Sequence, residues 1–142
     1  MRRIYLVIFV FVLGLLMWLT DVRAQNIWSG SADISWYSAS QVSFDISTPE
    51  QLAGVAQLVN AGTTTFSGRT LNLVNDIWLN NTGDSTNNWI PIGGGAPISE
   101  SPSTGYSFQG YFNGHGHTIY NMYCEKTSTF HAGLFSSIKS PC

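Results

Sequence analysis

The apolar positions of the sequence are unevenly distributed, and their longest uninterrupted run lies at the N-terminus. Arg2 and Arg3 precede a stretch without charged residues over positions 4–19, and a short polar segment then ends at Ala24. A positive start, an apolar run and a polar end with a small residue are the three parts of a secretory signal peptide. The pattern predicts a signal peptide over residues 1–24 and export of the remaining chain to the periplasm, the cell surface or the medium.

The alternative for this run is an uncleaved membrane anchor. The stretch over positions 4–19 is shorter than the roughly 20 apolar residues that a helix needs to span a bilayer. Cleavage between Ala24 and Gln25 is therefore the preferred interpretation, and it confines contact with the membrane to the export step.

The clearest helical pattern begins at Thr48. Thr48 and Gln51 have the spacing of a capping box, and Pro49 stands at the first helical position. The apolar residues that follow at helical spacing are Leu52, Val55, Ala56 and Val59. They predict an amphipathic helix that ends at Ala61 and is followed by Gly62, a residue suited to a left-handed C-terminal cap.

Short apolar runs separated by turn residues make up most of the remaining sequence. Residues 25–43 are polar with scattered aromatic residues, which we interpret as an extended arm that lays its rings on the domain. Val42, Phe44 and Ile46 alternate with polar residues, as in a half-buried strand. The later runs that predict strands lie at residues 70–73, 77–79, 89–92, 108–112, 118–123 and 133–138.

Comparable apolar positions recur at Ile90, Phe112 and Leu134, at intervals of 22 residues. This interval is typical of one coil of a parallel β-solenoid. An antiparallel sandwich also produces short strands separated by turns. The periodicity favours the solenoid and leaves the sandwich as the alternative.

A dense glycine motif lies near the C-terminus. Residues 108–119 read F-Q-G-Y-F-N-G-H-G-H-T-I, and residues 132–135 read A-G-L-F. Related blocks precede them, in order, at residues 46–62, 76–79 (D-I-W-L) and 89–93 (W-I-P-I-G). Together these blocks resemble the bacterial family of secreted proteins with GLUG motifs, and the resemblance spans most of the chain from Phe44 to Ile138.

The resemblance implies a mainly β fold, a right-handed parallel β-helix over residues 44–142 with one capping α-helix at its N-terminal end. It also implies structural roles for the motif residues, with glycines at tight corners and apolar side chains inside the coil. These residues are Phe108, Gly110, Phe112, Gly114, Gly116, His117, Ile119, Gly133, Leu134 and Phe135.

The motif occurs in a single copy, and Ser136 stands where the family usually has a final glycine. The chain therefore resembles the N-terminal portion of a longer protein or a truncated relative. A solenoid with so few coils has an unpaired edge, which predicts self-association through that edge.

Charge excludes one class of partner. The basic residues after position 24 are Arg69, Lys126 and Lys139, whereas binding to nucleic acid requires clustered Lys and Arg. We therefore predict no nucleic-acid partner.

The only cysteines are Cys124 and Cys142. Export would permit a disulfide between them, but the spacing leaves both a disulfide and two free thiols open.

Metal and cofactor chemistry have little support in the sequence. His115 and His117 form an H-x-H pair that can provide two metal ligands on one face of a strand. The family pattern explains His117 without a metal, and only His131 is near enough to serve as a third ligand. We therefore predict no metal and no cofactor.

Catalytic candidates are also sparse. Asp76 and Asp84 are the nearest pair of carboxylates for glycoside chemistry, but isolated aspartates beside turns usually accept hydrogen bonds from turn amides. Residues 105–108 lack the second glycine of a serine nucleophile elbow, and Gly93-Gly94-Gly95 lacks the Lys of a phosphate loop. No residue is predicted to be catalytic.

Trp78 is the aromatic residue that the pattern places best for contact with a ligand. It lies between Ile77 and Leu79, so an extended strand turns it away from them. The sequence thus predicts an exported, noncatalytic module for cell-surface adhesion or for binding a surface glycan or protein. The alternative is the N-terminal part of a secreted polysaccharide-degrading enzyme or peptidase whose catalytic residues lie beyond this chain.

Overall fold

A computed structural model of the chain describes residues 25–94, 106–125 and 132–139. Within these ranges one helix and five short strands are formed. They are β1 (Ser43–Ile46), α1 (Pro49–Asn60), β2 (Thr70–Leu73), β3 (Ile77–Trp78), β4 (Tyr111–Asn113) and β5 (Ile119–Tyr120). No helix in these ranges is long and apolar enough to cross a bilayer. The predicted signal peptide, Cys142 and His131 lie outside the described residues.

The predicted helix is confirmed with its capping signals. The Thr48 hydroxyl accepts a hydrogen bond from the Gln51 amide at 3.2 Å. The Gln51 side chain returns to the amide of Ser47 at 2.8 Å, one residue before the position that a standard capping box uses. Gly62 adopts a left-handed conformation with φ 72° just after the helix, as the sequence predicts.

Among the described residues all strand pairing is parallel, and the strands form two separate sheets. β1, β2 and β4 lie side by side in that order, with Phe44 opposite Leu71 and Leu71 opposite Phe112. β3 and β5 form the second sheet, in which Ile77 faces Ile119 and Trp78 faces Tyr120. Parallel strands need long connections, and here those connections carry the helix and the turns.

The prediction of a mainly β, right-handed parallel β-helix is wrong. The structure has few short strands in two small parallel sheets and one helix, and no solenoid is evident in the part of the chain that it describes. The runs at residues 89–92 and 133–138 contribute isolated bridges in place of strands. Pro91 has no amide hydrogen and Gly93 has φ 85°, so a continuous ladder cannot extend through this region.

The interval of 22 residues was misleading for a related reason. Ile90 is 59% exposed, whereas Phe112 and Leu134 are partly buried against the core. Phe112 pairs with Leu71 and Leu134 lies next to Ile92, so the three positions are not equivalent in the fold. The recurrence therefore reflects the frequency of apolar residues and not a structural repeat.

The N-terminal segment packs closely on the core. Trp28 is buried, and its ring meets that of Trp89 edge to face at 5.7 Å. Trp36 packs in the same way on Phe44 at 5.2 Å. The Asp33 amide donates to the Glu50 carbonyl at 2.9 Å, which fixes the segment across α1.

Candidate functional site

The outer face of the β3–β5 sheet carries a stacked aromatic pair. Ile77 and Leu79 are buried, so the alternation of the strand turns Trp78 outward. Because Tyr120 is its register partner on β5, the two rings stack with centroids 4.8 Å apart and an interplanar angle of 13°. Ile27 is bridged to Trp78 on the other side. The prediction that Trp78 points away from Ile77 and Leu79 is thus confirmed.

An aspartate and a histidine lie at the start of the same two strands. Asp76 immediately precedes β3, and the parallel pairing brings it to the turn before β5. Its Oδ1 accepts a hydrogen bond from the Thr118 amide at 2.9 Å and lies 3.3 Å from Nδ1 of His117. The His117 amide donates to the Gly114 carbonyl at 2.8 Å, and Gly116 within this turn has φ 80°. The turn therefore holds the imidazole beside the carboxylate.

These groups border a cleft of about 370 Å³. Its lining combines one large aromatic surface with polar side chains, from Gln25, Asn26, Ser47, Pro49, Asn75, Asp76, Trp78 and His117. Asp76 and His117 are 36% and 34% exposed, so solvent and ligands reach both. Asn75 donates through Nδ2 to the Ser47 carbonyl at 3.1 Å, which leaves its carbonyl oxygen as an acceptor.

The Asp76–His117 pair is not extended to a nucleophile by the residues that line the cleft. Ser47 is the lining residue with a hydroxyl that could act as a nucleophile, but this hydroxyl donates a hydrogen bond to Oε1 of Gln51 at 3.1 Å. Asp84 does not line this cleft. Hydrogen bonds from the Thr86 hydroxyl and amide hold the pKa of the Asp84 carboxyl below its usual value, which fits a carboxylate that stabilises a turn. Asp76 and Asp84 therefore do not form a pair across one substrate.

The two histidines of the H-x-H pair have different partners. His115 lies 3.2 Å from Oδ1 of Asn72 on the neighbouring sheet, while His117 lies beside Asp76. Among the described residues no group of three His, Cys, Asp or Glu side chains has the geometry to hold a metal ion. Cys124 is partly buried with its sulfur near the Gly133 carbonyl, whereas Cys142 lies outside the described ranges.

The glycine-motif residues lie mostly away from this cleft. Phe108 is buried, Phe112 packs edge to face on Phe135 at 5.5 Å, and Leu134 accepts a hydrogen bond from the Ile92 amide. Ile119 packs against the core, and Gly133 has φ 154°. Of the motif residues, only His117 lines the cleft.

The motif glycines differ in what they permit. A Cβ atom at Gly110 would lie 2.8 Å from the Phe66 carbonyl oxygen, so the close approach of these segments requires glycine. Gly116 has open space around it but a positive φ. Gly114 has neither a crowded Cβ position nor a positive φ, so the structure gives no steric reason for glycine there.

Sequence reasoning missed a second, larger cleft of about 530 Å³ next to α1. Ala53, Ala56 and Asn60 of the helix line one side of it, and Trp28 and Trp89 line another. The two tryptophans are far apart in the sequence and meet only through the tertiary fold, so no local pattern indicates this cleft. For the cleft beside Trp78 the sequence does contain a signal. Asn75 and Asp76 come just before an aromatic residue that points outward, and this combination could have indicated a binding site.

No family model, curated protein or solved structure matches this chain.

Proposed function

We propose that this protein is an exported, noncatalytic module that binds a surface glycan, in the manner of an adhesion protein. The observation that supports this most directly is the stacked Trp78–Tyr120 pair beside a polar cleft. Sugar rings have apolar C–H faces and a rim of hydroxyl groups. A site for them needs an aromatic surface for the first and hydrogen-bonding side chains for the second.

The cleft offers both kinds of contact within one small volume. Trp78 supplies the aromatic wall, and Asp76, Asn75 and His117 supply hydrogen-bonding atoms around it. Asp76 and Thr118 fix each other through the bond at 2.9 Å, so the carboxylate is positioned before a ligand arrives. Preorganised groups of this kind lower the entropic cost of binding.

Export is part of the proposal, and the sequence supports it. The order of charged, apolar and polar residues over positions 1–24 is that of a signal peptide. The resemblance of residues 108–119 and 132–135 to secreted GLUG-motif proteins points to the same location. The solenoid that this resemblance implied is not carried over.

The test is glycan binding by the purified wild-type protein and by Trp78→Ala. Isothermal titration with neutral oligosaccharides of glucose and of N-acetylglucosamine measures the affinity. Loss of the aromatic wall should weaken binding at least about tenfold, which corresponds to ~1.4 kcal/mol.

Tyr111→Ala is the matched control. Tyr111 is a 59% exposed aromatic residue on the outer face of the other sheet and does not line the cleft. Its substitution should leave the affinity unchanged. Equal losses in both variants, or unchanged binding in Trp78→Ala, would contradict the assignment of this site.

A further inference from the structure

The cleft beside Trp78 contains a carboxylate, and the basic side chain among its lining residues is the His117 imidazole, which lies 3.3 Å from that carboxylate. Besides the imidazoles of His115 and His117, the part of the chain that the structure describes contains one arginine, Arg69, and one lysine, Lys139. Arg69 donates to the carbonyls of Ala39 at 2.9 Å and Gln41 at 3.2 Å, and neither it nor Lys139 lines the cleft. The described lining therefore offers no lysine or arginine to neutralise a negatively charged ligand.

We infer that the cleft selects glycans without acidic groups and that Asp76 is the residue that excludes acidic ones. The inference rests on the proposed glycan binding, and it names the ligand class of that same site. It concerns specificity among sugars, which the stacking of Trp78 alone does not determine because every pyranose ring offers a C–H face.

The orientation of the Asp76 carboxylate carries the argument. Both groups that hold it, the Thr118 amide and the His117 ring nitrogen Nδ1, contact the same oxygen, Oδ1, which accepts. The second oxygen is thus left to accept a hydrogen bond from a sugar hydroxyl or ammonium group. A carboxylate on the sugar has no proton to donate there and meets a like charge.

A second acceptor lies next to Asp76. Because Asn75 lines the cleft and uses its Nδ2 to donate to the Ser47 carbonyl, its Oδ1 is left to accept a hydrogen bond from a ligand. Neighbouring acceptors favour ligands that are rich in hydroxyl donors, whereas a uronic acid replaces a donor by a charged acceptor. Geometry and charge therefore disfavour the same ligands.

The test compares N-acetylglucosamine hexamers with galacturonic acid hexamers, on wild-type protein and Asp76→Asn. Asparagine retains the size of the side chain and an oxygen for the Thr118 amide, and far-UV circular dichroism checks that the variant is folded. Titrations at pH 9 keep an α-amino group at Gln25 largely neutral, since such groups have an ordinary pKa of about 7.7–8.0.

The wild-type protein should bind the acidic hexamer about fivefold or more weakly than the neutral one, as expected for one partly exposed like-charge contact. Asp76→Asn should reduce this ratio toward one. In the wild-type protein, high salt should reduce it as well, since salt screens the exposed carboxylate.

Two other outcomes have distinct meanings. Equal or tighter binding of the acidic hexamer by wild-type protein, or a ratio that Asp76→Asn leaves unchanged, would overturn the inference while glycan binding itself stands. Failure of the wild-type protein to bind either hexamer or the neutral glucose oligosaccharides would overturn the proposed function and the inference with it.

Discussion

At the scale of single residues, Gly54 shows how one missing side chain joins two parts of the molecule. It lies in the middle of α1, where glycine costs about 1 kcal/mol relative to alanine. A Cβ atom at this position would overlap the carbonyl oxygen of Asp33 and lie 3.3 Å from Nε1 of Trp36. Glycine is therefore required for the N-terminal segment to cross the helix at this distance.

Gly54→Ala should destabilise the protein although alanine is the better helix former. The backbone of residue 33 must move, and overpacking of this kind costs about 1–3 kcal/mol. Gly114→Ala is the control, because a Cβ atom there meets nothing and φ is not positive. Urea unfolding measures both free energies of unfolding, and a Gly54→Ala protein as stable as Gly114→Ala would contradict the contact.

At the scale of elements, a buried asparagine joins the ends of β3 and β5. Asn80 is 1% exposed, and its Nδ2 donates to the Asn121 carbonyl at 3.2 Å and to the Asn87 carbonyl at 2.9 Å. Its Oδ1 accepts from the Asn87 amide, and Asn121 donates back to the Asn80 carbonyl. This network aligns the strands that carry Trp78 and Tyr120.

Asn80→Ala should destabilise the fold by about 2–3 kcal/mol, because it leaves buried backbone groups without partners. It should also weaken the proposed glycan binding, because the strands would no longer hold Tyr120 against Trp78. Thermal unfolding followed by near-UV circular dichroism, which reports the packing of these rings, measures the effect. Asn81→Ala at the exposed neighbouring position is the control. A variant at Asn80 that retains wild-type stability would show that the network is not needed.

Elements differ in how well the sequence predicts them, and the reason is the range of the interactions. The capping of α1 by Thr48 and the left-handed Gly62 involve neighbours in sequence, so they were predictable. The strand over residues 70–73 was also located correctly. Which strands pair with each other was not predictable. Leu71 lies opposite Phe112, which is 41 positions away, and a local pattern carries no information on such pairing. Bridges at Ile92 and Phe135 were mistaken for strands because apolar runs do not reveal where Pro91 and Gly93 interrupt a ladder.

At the scale of the whole molecule, remote contacts dominate the fold. The bond between the Thr118 amide and Asp76 spans 42 positions, and that between Asn80 and Asn121 spans 41. The candidate cleft depends on this arrangement, since β3 and β5 bring Asp76 to His117. From sequence, Trp78 and His117 were each singled out, but their meeting with Asn75 and Gln25 required the tertiary structure.

The protein should therefore fold slowly for its size. Loop closure must precede each parallel pairing, and small proteins dominated by remote contacts fold in about milliseconds to seconds. Stopped-flow refolding monitored by tryptophan fluorescence measures the rate. We expect α1 to form first, because its hydrogen bonds join residues that are close in sequence. Complete refolding within microseconds would contradict the dominance of remote pairing.

The position of Gln25 gives the cleft a further property. Gln25 and Asn26 are part of the lining, and the predicted processing point lies between Ala24 and Gln25. Because Ile27 is bridged to Trp78, the N-terminal segment lies beside β3 and supplies these two side chains to the cleft. A substitution at Gln25 or Asn26 would therefore change the polar side of the cleft without altering the residues of β3 or β5.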